Sequence, residues 1–145
     1  MNHFSKRSKK NLSSCHEDIR IVLNEVIKEY DFSVLHGHRT IDEQMELFKQ
    51  GREFKDGVWV VDPKKVVTYK DGTINKSKHN EYPSVAVDIA PYPIDWEDEN
   101  RFLILSDEIL RTAMFLFNDG KISHRMIWGG NWKMKDLLHF ELANV

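Results

Sequence analysis

Asp88 lies in Val85-Ala86-Val87-Asp88-Ile89-Ala90, a run that is otherwise apolar. An ionised carboxylate in such a segment costs several kcal/mol unless it is paired or bound to a cation. In an alternating strand it shares a face with Ala86 and Ala90, whose small side chains leave space above it. A turn cap or an arginine partner would also satisfy it. His139, in Leu138-His139-Phe140-Glu141-Leu142, falls on the face opposite the apolar residues. It reads as a ligand or as a hydrogen-bonded core histidine. His79, in Ser77-Lys78-His79-Asn80, is by itself a loop histidine. Two imidazoles and one carboxylate together match a catalytic zinc site, which takes three N or O ligands and leaves a position for water. Asp136 adds a carboxylate outside that set, suited to general-base work on water whose pKa such a metal lowers to about 7. A developing oxyanion would need a positive group, and Arg39 is the candidate by sequence context. A surface salt bridge is its other reading.

These side chains need rigid elements to aim them. Ser14-Cys15-His16-Glu17 has capping-box spacing. Ile19, Val22, Leu23, Val26, Ile27 and Tyr30 then predict an amphipathic helix of about four turns. Phe32 to Leu35 reads as a short strand ending at Gly37. Thr40 to Glu43 is a second capping box, opening a helix with Ile41, Met45 and Phe48 that Gly51 stops. His36-Gly37-His38-Arg39 is therefore a tight strand-to-helix junction, the kind of place where function concentrates. Of its histidines, His38 is expected nearest the cleft; His36 and His124 are read as structural or solvated.

Residues 52–76 predict an irregular hairpin flap, with β-rich runs at Val58 to Val61 and Val66 to Tyr69 and Asp-Gly turns at 56–57 and 71–72. A polar loop follows, then Val85 to Ala90 as a strand. A long helix from Asp98 to Asn118 carries Phe102, Leu105, Ile109, Ala113, Leu116 and Phe117, and Gly120 ends it. Tyr92, Pro93 and Trp96 are expected to pack against it. Arg125 to Trp128 and Leu137 to Leu142 supply the last strands. Helices and strands do not alternate in regular βαβ units, so the fold class expected is α+β, with a mainly antiparallel sheet packed by helices.

At 145 residues the chain is one domain, and 41% hydrophobic residues can supply its core. That composition excludes disorder for the bulk of the chain. The net charge of −2 lacks the basic excess a nucleic-acid partner demands. Lys6, Arg7, Lys9 and Lys10 form a basic cluster, and residues 1–12 read as a flexible basic tail. The single cysteine, Cys15, offers neither a disulfide nor a thiolate metal site. No apolar run approaches the roughly 18 residues of a span, so stable membrane insertion is not expected. The polar residues after the basic start predict synthesis in the cytoplasm without a signal peptide.

Ser77-Lys78-His79 through Ala86-Val87-Asp88, with Asp136-Leu137-Leu138-His139-Phe140-Glu141, resembles the two metal-binding motifs of the M15 zinc peptidases. Gly37-His38-Arg39-Thr40, followed by Glu43-Gln44 and Leu47-Phe48, is similar to that family's arginine-bearing segment. Trp128-Gly129-Gly130-Asn131-Trp132 resembles a segment of its endopeptidase branch. The four pieces occur in family order across residues 35–142. The chain departs from the pattern in a longer His79–Asp88 loop, with Tyr82-Pro83 as the insertion, in Asp136 where many members have glutamate, and in Asn131 where an acidic residue is usual.

The resemblance implies a Hedgehog/DD-peptidase-like fold, with residues 13–145 as the catalytic domain. It implies Zn2+ held by His79, Asp88 and His139, Asp136 as catalytic base and Arg39 as the carbonyl-polarising residue. Ser77 and Trp132 become substrate-binding candidates; Gly129-Gly130 and the tryptophans also fit a tight turn and core or lid packing. The implied activity is that of a phage endolysin, a monomer cutting the L-alanyl-D-glutamate bond of the peptidoglycan stem peptide after membrane damage. D-alanyl-D-alanine dipeptidase or carboxypeptidase activity, and a non-catalytic zinc-stabilised wall-binding module, stand as alternatives. A metal-dependent nuclease is disfavoured by the charge.

Overall fold

The computed structural model describes residues 2–55, 57–73 and 75–145; side chains 54, 55 and 58–60 lie outside that description. Four strands form one antiparallel sheet: β1 (Phe32–His36), β4 (Ala86–Pro91), β6 (His139–Leu142) and β5 (Met126–Trp128), in that spatial order. Two further strands, β2 (Arg52–Lys55) and β3 (Val58–Val61), pair as a separate hairpin. The helices are α1 (Lys6–Ser13), α2 (Glu17–Val26), α3 (Ile41–Lys49) and α4 (Glu99–Asn118). The α+β class and the mainly antiparallel sheet are as expected.

Alternation along β4 sends Val87 and Ile89 into the core, where they meet Val34, Phe140 and Leu142 from neighbouring strands. Ile19, Val22, Leu23 and Val26 of α2, with Leu105, Ile109 and Ala113 of α4, cover that face. Asp98 caps α4 through the Arg101 N–H, and Gly120, at φ +75°, ends it in the left-handed region. Trp96 stacks on Phe102 with ring centroids 6.1 Å apart, whereas Tyr92 is exposed. The apolar stripe expected to run to Tyr30 is regular helix only to Val26, with turns beyond it.

The segment expected as a tail is different. Residues 6–13 are helix α1, and it closes the open edge of β1 with polar side chains. The Val34 N–H donates to Ser8 Oγ at 3.0 Å, and Asn11 Nδ2 donates to the Val34 and Leu35 carbonyls at 2.9 and 3.1 Å. Phe4 packs edge-on against Phe32 at 5.2 Å, and Leu12 is buried. An edge strand needs such cover. Because serine and asparagine do the docking, the helix shows no apolar stripe to betray it.

The first expected capping box also does not form. His16 caps α2, its Nδ1 accepting from the Asp18 N–H at 3.0 Å. Ser14 Oγ is engaged elsewhere: it donates to the Asn11 carbonyl at 2.7 Å and accepts from the His38 N–H at 2.8 Å. The second box forms as expected, with Thr40 Oγ1 accepting from the Glu43 N–H and Glu43 Oε1 from the Thr40 N–H, both at 3.1 Å.

In the flap, the strand partner of 58–61 is 52–55, not 66–69. Residues 66–69 form no strand; they are tied down through Thr68, whose carbonyl accepts from Arg52 Nη1 at 2.8 Å. The turn expected at 56–57 includes Asp56, which lies outside the described residues. At 71–72, Asp71 Oδ1 accepts from the Thr73 and Asn75 N–H groups at 2.8 and 3.0 Å, and Gly72 takes φ +91°. Among the described residues no helix is long and apolar enough to cross a membrane.

Candidate functional site

Sheet register places three of the relevant side chains in one row. His36 of β1 is opposite Asp88 of β4, and Asp88 is opposite His139 of β6. They project from the face away from the helices, as the alternation around Asp88 requires. His79 comes from a single turn of 3₁₀ helix, Lys78–Asn80, which Ser77 opens by accepting from the His79 N–H at 3.2 Å. That turn is bonded to the strand-to-helix junction. The Arg39 N–H donates to the His79 carbonyl at 2.7 Å, and Asn80 Nδ2 donates to the Arg39 carbonyl at 2.9 Å.

The hydrogen bonds fix which ring nitrogens are free. A carbonyl only accepts, so His79 Nδ1, 2.8 Å from the Gly37 carbonyl, carries its proton there. His79 Nε2 is then left with a lone pair, 3.4 Å from Asp88 Oδ1 and without any hydrogen-bond partner although buried. His139 repeats the pattern with the nitrogens exchanged. Its Nε2 donates to Glu141 Oε1 at 2.9 Å, and its Nδ1 faces Asp88 Oδ1 at 3.3 Å. Two imidazole nitrogens and a carboxylate oxygen thus converge, and the outer nitrogens are held by acceptors. A cation fits this donor set and would satisfy the orphaned buried nitrogen of His79. His79, Asp88 and His139 are a candidate metal-binding group.

The electrostatics agree. Burial pushes the Asp88 carboxyl upward, but the His139 and His36 side chains bonded to it, with the His79 ring close by, outweigh that and hold the group well below the usual carboxylate range. Burial by itself would lower His139; its bonds to Asp88 and Glu141 carry it instead up to about 9. The second Asp88 oxygen faces outward, 3.2 Å from His36 Nδ1 and 3.6 Å from Arg39 Nη2. The arginine partner that sequence alone left open for Asp88 is therefore real, and it coexists with the histidine cluster.

The row forms the floor of a cleft of 820 Å³ lined also by Arg39, Ser77, Trp132 and Asp136. Burial raises the Asp136 carboxyl above its ordinary value, and the nearby Asp88 charge adds to the rise. Burial lowers Arg39, while the Asp88, Glu43 and Asp136 carboxylates pull it back up. Trp132 leans over His139 with ring centroids 5.1 Å apart. Trp128 instead is core: it stacks on Phe140 at 6.4 Å and donates Nε1–H to the Leu137 carbonyl at 2.9 Å. Gly129 is required by close approach, since a Cβ there would stand 2.7 Å from the Asp136 carbonyl oxygen and 3.2 Å from His139 Cβ.

All seven residues singled out by sequence thus line one cleft. Two contributors, His36 and Gln44, were missed, and the role of a third, Glu141, was undecided between orienting a ligand and pairing with a neighbour. His36, not His38, reaches the floor; His38 braces the longer loop instead, bonding the Glu81 carbonyl at 3.0 Å and touching the Tyr82 ring. Glu141 fixes the His139 tautomer through the bond to Nε2. Gln44, fully buried on α3, accepts from Arg39 Nη1 at 2.8 Å. The Gln44 spacing from Arg39 was visible, but its burial was not.

A second His/Asp group, His16, Asp18 and His124, lies away from the cleft. Its atoms are already engaged. Asp18 Oδ2 accepts from the Ser123 and His124 N–H groups and from His124 Nδ1 at 2.9 to 3.0 Å, and His16 Nδ1 caps α2. It clamps the start of α2 to the loop before β5.

The family model of the phage L-alanyl-D-glutamate peptidases matches residues 1–144, essentially the whole chain. The chain belongs to that family. It is thus a phage peptidase of the M15 type, a hydrolase acting on peptidoglycan, as the motif resemblance implied. The matched range includes α1. A search of curated proteins found no match.

Proposed function

We propose that this chain is a zinc-dependent endopeptidase that hydrolyses the L-alanyl-D-glutamate bond of the stem peptide. The observation that carries the proposal is the buried His79 Nε2, unpartnered and aimed with His139 Nδ1 at one oxygen of Asp88. His79, Asp88 and His139 would hold the ion, and Gly37 and Glu141 would keep their rings in the ligating tautomer. When bound, zinc supplies Lewis acidity toward the attacking water and the scissile carbonyl.

The chain's own groups do the rest. Asp136, with a carboxyl raised toward the working range of a base, takes the proton from the attacking water and returns it to the leaving amine. Arg39, held by Gln44, presents a fixed positive charge to the oxyanion as it forms. Ser77 and Trp132 bound the cleft where the peptide lies. The reading carries with it synthesis in the host cytoplasm and access to the wall once the membrane is damaged.

Metal analysis beside muropeptide mass spectrometry tests it. Wild-type protein should hold zinc and release peptides beginning with D-glutamate. Asp88→Ala and His139→Ala should lose both metal and activity, and Asp136→Ala should keep the metal without turnover. An active metal-free preparation, or a fully active Asp136→Ala protein, overturns the mechanism. Products cut instead at D-alanyl-D-alanine would reassign the bond.

A further inference from the structure

The cleft is lined by charges of both signs. Helix α3 contributes Glu43 and Glu46, and the segment running into the His79 turn contributes Lys70, Lys76 and Lys78. Elsewhere on the surface, lysines sit beside acids: Lys28 with Glu25 at 2.8 Å, Lys49 with Glu46 at 3.2 Å and Lys65 with Asp62 at 3.9 Å. Among the described residues the three cleft lysines have no such carboxylate partner. Lys76 and Lys78 flank Ser77, and both also line a neighbouring cavity of 520 Å³ together with Glu81, Tyr82 and Pro83 of the longer loop. They therefore border both cavities, at the His79 turn.

Unpaired ammonium groups facing a binding cleft are matched to an anion. The family's substrate bond places a glutamate on the leaving side. Glutamate has two carboxyl groups, and a stem can continue through only one of them. The other remains beside the scissile bond, either as a free carboxylate or capped as an amide. Lysine is suited to reading that difference, being a hydrated point charge on a flexible stem rather than a planar fork.

We propose that Lys76 and Lys78, with Lys70 behind them, form a carboxylate-reading subsite that makes the enzyme prefer stems with a free D-glutamate carboxylate over amidated ones. The proposal rests on the peptidase reading above and adds to it which form of the substrate is selected. The contacts are solvent-exposed, so each contributes modestly and is screened by salt. A preference of about three- to ten-fold in kcat/KM at low ionic strength is what two or three such contacts supply.

The test uses two synthetic stem peptides that differ only in that group, carboxylate or carboxamide, offered together to one preparation of the zinc-loaded protein. The ratio of their kcat/KM values is independent of the fraction folded or loaded. Wild type should favour the carboxylate, and added salt should erode the preference. Lys76→Gln with Lys78→Gln should bring the ratio toward one, and Lys76→Glu with Lys78→Glu should invert it. A wild-type ratio near one, or a ratio unchanged in both double variants, overturns the subsite while leaving the peptidase intact. If wild type cleaves neither peptide at the L-alanyl-D-glutamate bond, the peptidase reading fails and the subsite falls with it.

Discussion

Gln44 Oε1 accepts a 2.8 Å hydrogen bond from Arg39 Nη1, while Gln44 Nε2 donates to the Lys70 carbonyl at 2.8 Å. One buried amide thereby holds both the cationic group of the cleft and the backbone of its lysine-bearing wall.

Gln44→Ala should therefore damage function and stability together. Removing it leaves the Lys70 carbonyl and part of the Arg39 guanidinium unsatisfied, a cost of about 1–3 kcal/mol for buried groups. We expect a lower melting temperature and at least a ten-fold loss in kcat/KM with zinc content unchanged. Normal turnover in a destabilised Gln44→Ala protein would show that Arg39 needs no such support.

Glu141→Gln should weaken metal retention without abolishing it. Glu141 touches His139 only through the outer nitrogen, at 2.9 Å, and partners in that position typically contribute 10–100-fold in metal affinity. Activity lost on dilution should return with excess zinc, which competition with a chromogenic chelator would quantify. An unaltered zinc affinity would remove Glu141 from the site.

Asp18→Ala should destabilise the protein and spare the chemistry. It orphans the Ser123 and His124 N–H groups, again about 1–3 kcal/mol. Chemical denaturation should show the loss, with kcat and zinc stoichiometry as in wild type. A fall in zinc stoichiometry on this substitution would instead identify His16, Asp18 and His124 as a second metal site.

Cys15 should make the fold sensitive to alkali. Burial pushes its thiol from 9.0 up to about 12, against a smaller lowering by Ser14. Above about pH 9 the unfolded chain loses that proton while the folded chain keeps it, so stability falls as pH rises toward 12. The fall in unfolding free energy from pH 7 to pH 10 should be smaller for Cys15→Ala than for wild type, by roughly 1 kcal/mol. Equal slopes would show that the thiolate is accommodated.

Local patterns were readable where local physics sets the outcome. The stripe on α4 survives because burial of one helix face is decided by residues three and four apart. The Thr40–Glu43 box survives because its two bonds close within one turn. Ser14 failed as a cap because a partner far along the chain, the His38 N–H, engages its hydroxyl. Helix α1 was missed because it docks through Ser8 and Asn11, whose value depends on the bare edge of β1 lying beside them.

Residue types and motif order were enough to nominate His79, Asp88, His139, Asp136 and Arg39, because few side chains can ligate a metal, move a proton or steady an oxyanion. Strand pairing and folding decided the rest. They set His36 against Asp88 across 52 residues, gave each imidazole its tautomer through Gly37 and Glu141, and buried Gln44 behind Arg39. Those outcomes depend on distances between groups remote in the chain, and hydrogen bonds and Coulomb forces act over ångströms of space, whatever the separation in sequence.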